Sequence, residues 1–183
     1  MRRIVTGHSG NKSIVASDGP SPRIFSSRAV QGSSSALIWA TAARPSIPHD
    51  GGDAISSESR QLPEVGETRL VVATFPPDSV MTDPGFDPVA AGKELMDHDP
   101  EFARHMEADN PGMHTTDTID YGFVLDGEVW LELDDGAQIH LKAGDVVVQN
   151  GTRHAWRNKS DKPVKMGFVL IGASRRSQGI AQG

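Results

Sequence analysis

Residues 118–151 read TIDYGFVL (118–125), DG (126–127), EVWLEL (128–133), DDG (134–136), QIHL (138–141), AGD (143–145), VVV (146–148) and NG (150–151), and the chain returns to VKMGFVLI at 164–171. Runs rich in β-branched and aromatic residues recur every eight to ten positions, parted by residues that accept left-handed turn geometry. Asp-Gly between alternating runs is the strongest short hairpin signal a sequence carries. Strands at this spacing predict an all-β barrel or sandwich.

Upstream of Pro111-Gly112 the character changes. Val89–Met96 and Glu101–Met106 are helix-forming stretches interrupted by Asp99-Pro100, which predicts two short helices in an insert at about 88–108, placed to act as a lid. Arg69–Phe75 has the β-branched content of a central strand and is stopped by Pro76-Pro77, which cannot donate to a ladder. The stretch 43–63 is rich in Pro, Gly and Ser, with His49-Asp50-Gly51-Gly52 inside it, and reads as a long exposed loop. Ala36–Ala40 is an apolar run of strand length. Residues 2–6 and 12–17 flank a Gly-Asn turn and form an N-terminal hairpin, so strands are expected through 1–75. The tail, 173–183, reads as frayed.

Length and composition fit one domain over 1–183. Twenty-four acids against eighteen bases give a net charge of −6, with the bases scattered, so a nucleic-acid partner is not expected. No apolar run approaches the length that spans a bilayer, and Ile4-Val5 behind Met1-Arg2-Arg3 is too short for a secretory core. A cytoplasmic protein without a membrane partner is the expectation. The absence of cysteine removes disulfides, thiolate zinc sites and cysteine nucleophiles, leaving histidine and carboxylate as metal ligands.

Two stretches carry chemistry. His114-Thr115-Thr116 is followed by Asp120 and closed by Gly127; Gly144 opens a second stretch in which Gly151-Thr152-Arg153-His154 is followed by Asn158. Side chains alternate along a strand, so His114, Thr116, Thr118 and Asp120 share a parity and are able to face one interior. These stretches resemble the two motifs of the cupins, G-x5-H-x-H-x(3,4)-E-x6-G and G-x5-P-x-G-x2-H-x3-N, over about 110–171. The departures are Thr116 at the second His, Asp120 at the Glu, Ala108 at the first Gly, a missing proline and one spacing shortened by a residue.

The resemblance implies a cupin barrel, a double-stranded β-helix or jelly roll, with added N-terminal strands and a short helical insert. It implies one divalent metal held by His114, Asp120 and His154, a set similar to the facial triad of non-haem iron sites. Fe(II) is the preferred ion, and Zn, Mn or Ni suit the same donors. Asp117 is the rival carboxylate, at the opposite parity. Three protein ligands leave open positions, so a metal-dependent enzyme acting on a small oxygen-bearing organic molecule is the expectation, with an iron oxygenase ahead of a Lewis-acid lyase, dehydratase or isomerase. The alternative from another class is a non-catalytic ligand-binding cupin.

Thr116, Phe75, Phe123, Val148, Met166 and Phe168 are expected to line the pocket. Tyr121, Arg153, Trp156 and Arg157 are weaker candidates for substrate contact, since aromatic and basic residues beside turns commonly pack at a rim. His8, His49, His98, His105 and His140 read as surface residues. Cupins pair through strand exchange or sheet packing, so the resemblance also implies a homodimer, for which the N-terminal strands are available.

Overall fold

The computed structural model describes residues 1–49 and 51–176. In chain order the strands are β1 (Arg2–Ser9), β2 (Lys12–Pro20), β3 (Arg23–Ser26), β4 (Ser34–Thr41) and β5 (Thr68–Phe75). Helices α1 (Pro88–His98) and α2 (Pro100–Ala103) follow. Then come β6 (Thr118–Asp126), β7 (Glu128–Glu132), β8 (Gln138–Lys142), β9 (Val146–Asn150), β10 (Ala155–Arg157) and β11 (Val164–Gly172).

Among the described residues these make a six-stranded sheet in the order β3-β4-β5-β11-β6-β9, a three-stranded sheet β10-β7-β8, and the separate hairpin β1-β2. Asp126-Gly127 is the point at which the chain passes from β6 in the large sheet to β7 in the small one, rather than the turn of a paired hairpin. Gly127 has φ +81°, and a Cβ there would stand 3.0 Å from the Pro163 carbonyl oxygen, so both conformation and space call for glycine. β6 alternates cleanly, with Thr118, Asp120, Gly122 and Val124 inward and Tyr121, Phe123 and Leu125 outward.

The inward residues meet the small sheet in a core of Val124, Val129, Leu131, Leu141, Val164 and Met166. A second buried cluster, Leu37, Ile55, Leu62, Val71 and Leu170, lies toward the N-terminal strands, and Phe168 packs against both. Fully burying one such side chain stabilises by about 1.5–3 kcal/mol, so the barrel rests on packing, as a chain without cysteine requires.

Three expectations need correction here. The described residues of the stretch 43–63 have no regular structure, but they are not simply exposed: Ile55 and Leu62 are buried, and Asp53 pairs with the buried guanidinium of Arg3. Ile55 and Leu62 pack into the second cluster, and the Arg3–Asp53 pair adds a polar attachment. His98 is half-buried rather than on the surface, its ring stacked on Phe25 at 4.2 Å. β3 was not foreseen, because Arg23–Ser26 is too short to show a period. The helical insert is present, with Asp87 and Asp99 accepting backbone N–H bonds at the N-termini of α1 and α2. Of the tail, residues 173–176 are irregular, and 177–183 lie outside the described residues.

Candidate metal centre

His114 and His154 are 40 residues apart in the chain, yet they form an isolated antiparallel bridge. Each backbone N–H donates to the other's carbonyl at 3.0 Å, and the ring centroids are 4.3 Å apart. The two imidazoles are oriented in the same way. Nδ1 of His114 lies 3.0 Å from the Gly112 carbonyl and Nδ1 of His154 lies 2.9 Å from the Thr152 carbonyl, in each case two residues back. A carbonyl only accepts, so Nδ1 must carry the proton and Nε2 the lone pair. Neither Nε2 has a hydrogen-bond partner among the described residues. An imidazole fixed through Nδ1 to a carbonyl is the arrangement that presents Nε2 to a cation.

Electrostatics agree. Burial depresses the pKa of both histidines; His154, with His114 beside it, is pushed down to about 4. Both are neutral at physiological pH, as ligands must be. Asp120 is buried, and burial lifts its pKa to about 6, with Thr118 acting in the opposite direction. Its Oδ1 has no hydrogen-bond partner. A buried carboxyl oxygen left alone costs about 1–3 kcal/mol, which a cation or a donor would offset.

In kind, then, the donors suit a divalent ion. In placement, the structure brings the two imidazoles together but not the triad: among the described residues no three His, Asp or Glu side chains stand close enough to hold one ion. Asp120 is instead the cross-strand neighbour of Gln149, itself buried with an unpartnered Nε2. Asp117 lies at the surface, exposed and paired with Arg175.

Around the imidazoles stand aromatic rings. Phe102 of α2 meets His114 edge-on at 5.4 Å, Trp156 of β10 meets His154 edge-on at 5.6 Å, and Trp156 lies 5.7 Å from Phe168. Gly122 is opposite Phe168 across the strand pair, and a Cβ there would stand 3.4 Å from the Phe168 ring. Phe75 packs edge-on to Phe168 at 6.5 Å, and Met166 is fully buried in the adjoining core. Thr116 is buried with its hydroxyl engaged by Thr118 at 2.8 Å.

Phe123 and Val148 do not line the pocket. They are 37% and 56% exposed on the outer face, because Asp120 points inward and the odd-numbered residues of β6, with Val148 opposite Tyr121, must point out. Arg153 holds Glu107 and Asp134, and Arg157 holds Glu132 and the Pro111 carbonyl, so both guanidinia stitch loops together. His140 is exposed, stacked on Trp130 and bonded to Glu128. His105 is half-buried and bonded to the Thr115 carbonyl rather than free at the surface. Phe102 and Gln149 were missed: nothing local marks a helix residue as a roof, and Val-Val-Val-Gln-Asn carries no alternation from which to read a face.

A barrel of two facing sheets with paired histidines at one end defines a class, and the comparisons agree with it. Residues 105–171 match the cupin domain model Cupin_2. That match covers a little over a third of the chain, and over those residues the chain is similar to the cupins. It is 62% identical over 62 residues to phomopsin biosynthesis cluster protein C' of Diaporthe leptostromiformis, covering 33% of each chain. It is 33% identical over 98 residues to the cupin-domain-containing oxidoreductase fogC of Aspergillus ruber, covering 40% of this chain and 47% of that one. These matches thus span from a third to just under half of the relatives' length. Among solved structures, an RmlC-like cupin family protein of Methanocaldococcus jannaschii with a double-stranded β-helix fold aligns with 62% of this chain and 77% of its own at 11% identity and a TM-score of 0.39. No helix among the described residues is long and apolar enough to cross a membrane.

Proposed function

We propose that this cupin is an oxidoreductase that acts on a small oxygen-bearing organic molecule in its barrel. His114 and His154 would hold a divalent cation, iron(II) by preference; Asp120, buried but not grouped with the two rings, is the carboxylate proposed to complete the set. The observation that carries the reading is the matched orientation of the imidazoles: both donating Nδ1–H to a backbone carbonyl, both neutral, both with Nε2 unengaged. Oxidation rather than another chemistry is supported by the relatives that bear the name cupin-domain-containing oxidoreductase, in Aspergillus ruber, Neurospora crassa and Hypocrea virens.

Held by the two imidazoles of His114 and His154 with Asp120, iron(II) would supply redox chemistry. The chain itself does the rest. The 112–114 and 152–154 turns fix the rings before any ligand arrives, so little orientation is lost on binding. Phe102 flanks His114 and Trp156 flanks His154, with Phe168 behind Trp156, so one side of each ring faces hydrocarbon. Asp120, whose burial raises its pKa to about 6 in the metal-free chain, would give up its proton on joining a cation.

Elemental analysis of protein purified without added metal or chelator tests the site. One divalent ion per chain is expected, with His114→Ala and His154→Ala each losing it while circular dichroism keeps its β-signature. Full occupancy in both variants would remove the metal centre. Oxygen uptake tests the chemistry: Fe(II), not zinc, should restore it to stripped protein. Undiminished anaerobic turnover would instead establish the Lewis-acid lyase reading.

A further inference from the structure

Two buried polar atoms in the wall of the barrel stand without a partner. Gln149 Nε2 donates to nothing and Asp120 Oδ1 accepts nothing, although the two residues are 4% and 7% exposed. They belong to adjacent strands, Asp120 to β6 and Gln149 to β9, and face each other in the ladder. Both turn inward. On β6 the buried residues are Thr118, Asp120, Gly122 and Val124, and on β9 Gln149 is buried between exposed Val148 and exposed Asn150. A donor and an acceptor thus lie side by side in register with no bond between them.

Stability does not explain the amide. Val146, Val147 and Val148 precede it, and a fourth aliphatic side chain would fill the position without stranding a donor. The amide nitrogen is no ligand either, since Nε2 carries hydrogens and offers a cation no lone pair. The neighbouring hydroxyls are occupied, Thr116 and Thr118 bonding to each other at 2.8 Å. What remains opposite Gln149 in register is the Asp120 carboxyl, with one oxygen free.

We infer that Gln149 is the positioning residue of Asp120: its carboxamide donates to the carboxylate and fixes the orientation in which that carboxylate serves a cation. The inference rests on the metal reading proposed above. A carboxylate joined to a cation accepts and does not donate, so inside the barrel it needs donors on the side away from the ion. Gln149 supplies one from the neighbouring strand, while Thr118, two residues along β6, acts on the same carboxyl. The gap between Asp120 and the imidazoles fits this role. With Oδ1 unbonded, no hydrogen bond on that oxygen ties Asp120 to a place apart from the rings, and a bond from Gln149 would select one orientation. Being neutral, glutamine orients the carboxylate without cancelling the negative charge that a cation requires, as an arginine would.

The test is calorimetric titration of the metal-free full chain with zinc(II), which suits the same donors and has no redox chemistry of its own. Gln149→Leu should weaken zinc binding by about tenfold to a hundredfold while the stoichiometry stays at one ion per chain. In an Asp120→Ala background the same substitution should change the affinity by less than about twofold, because its effect passes through the carboxylate. Since a substitution inside a strand is able to impair folding, NMR of the parent gives a second measure: the side-chain amide of Gln149 should move downfield as zinc is added. Unchanged affinity in Gln149→Leu, an equal loss in the Asp120→Ala background, or an amide that stays in place when zinc binds would overturn this inference and leave the metal centre standing. A parent that takes up no zinc would remove the centre and this inference together.

Discussion

His114 and His154 exchange two backbone hydrogen bonds of 3.0 Å, so the candidate ligands are joined through the main chain before their side chains meet anything. Two short turns, each bending a ring onto the carbonyl two residues back, then aim them alike. The pair is therefore built into the fold and should keep its geometry without any cation. In stripped protein the two imidazoles should keep separate, low pKa values, measurable by NMR titration. For His154 the value is about 4. A titration of His154 near 6.5 would contradict its burial.

Stability against pH follows from two shifts of opposite sign. His154 is depressed, so the unfolded chain takes up a proton below about 6.5 that the folded chain refuses, and stability falls as pH drops from there toward 4. Asp120 is raised, so the unfolded chain ionises above about 4 while the folded chain resists until about 6; this contribution is complete below 4 and lost as pH rises to 6. Each is on the order of 3 kcal/mol at about 1.36 kcal/mol per pH unit. Between pH 4 and 6 they oppose each other. Urea denaturation of metal-free protein should show a shallow profile there, and Asp120→Asn should steepen the acid-side loss while stabilising the protein at pH 7.5.

The carboxylates separate by environment. Asp120→Ala should weaken Fe(II) or Co(II) binding at least tenfold by calorimetry, whereas Asp117→Ala, which removes only an exposed pairing with Arg175, should change it less than twofold. The reverse order would assign the wrong residue to the cation.

Asn158, which ends the second motif, is a clamp rather than a ligand. It is buried, and its side chain donates to the Phe75 and Lys162 carbonyls at 3.0 and 2.7 Å while accepting from Ser160. Asn158→Ala strands two carbonyls and should cost about 2–4 kcal/mol in thermal or urea denaturation, leaving the metal stoichiometry untouched.

Arg3 and Asp53 hold the 43–63 segment against the body. The Arg3 guanidinium keeps the Asp53 carboxyl below its ordinary pKa, so this attachment is complete above about pH 4 and lost as pH falls below it. Asp53→Asn should speed proteolytic nicking between 43 and 63 several-fold at pH 7 without altering the barrel's circular dichroism.

Much of the barrel was legible because its signals are local. Asp126-Gly127 and Asn150-Gly151 announce turns by residue type, and strict alternation through β6 assigns its two faces once one inward residue is known. The site was legible in part: shared parity placed His114, Thr116, Thr118 and Asp120 together, and all four are buried. The rest depends on contacts with no sequence period. Whether Asp120 reaches the imidazoles is set by the distance between strand ends. Which face Val148 and Gln149 take is hidden in a uniform run, and Phe123 was misread because its aromatic character outweighed its parity. Ile55 and Leu62 find the second cluster only through the path of an irregular chain.

Phe102, edge-on to His114, belongs to the helical insert and not to the barrel. The ring beside His114 and the turns that aim both imidazoles are thus written in separate passages of the chain. Substitution at Phe102 can alter that neighbour while the Gly112 and Thr152 carbonyls keep the orientation of both rings.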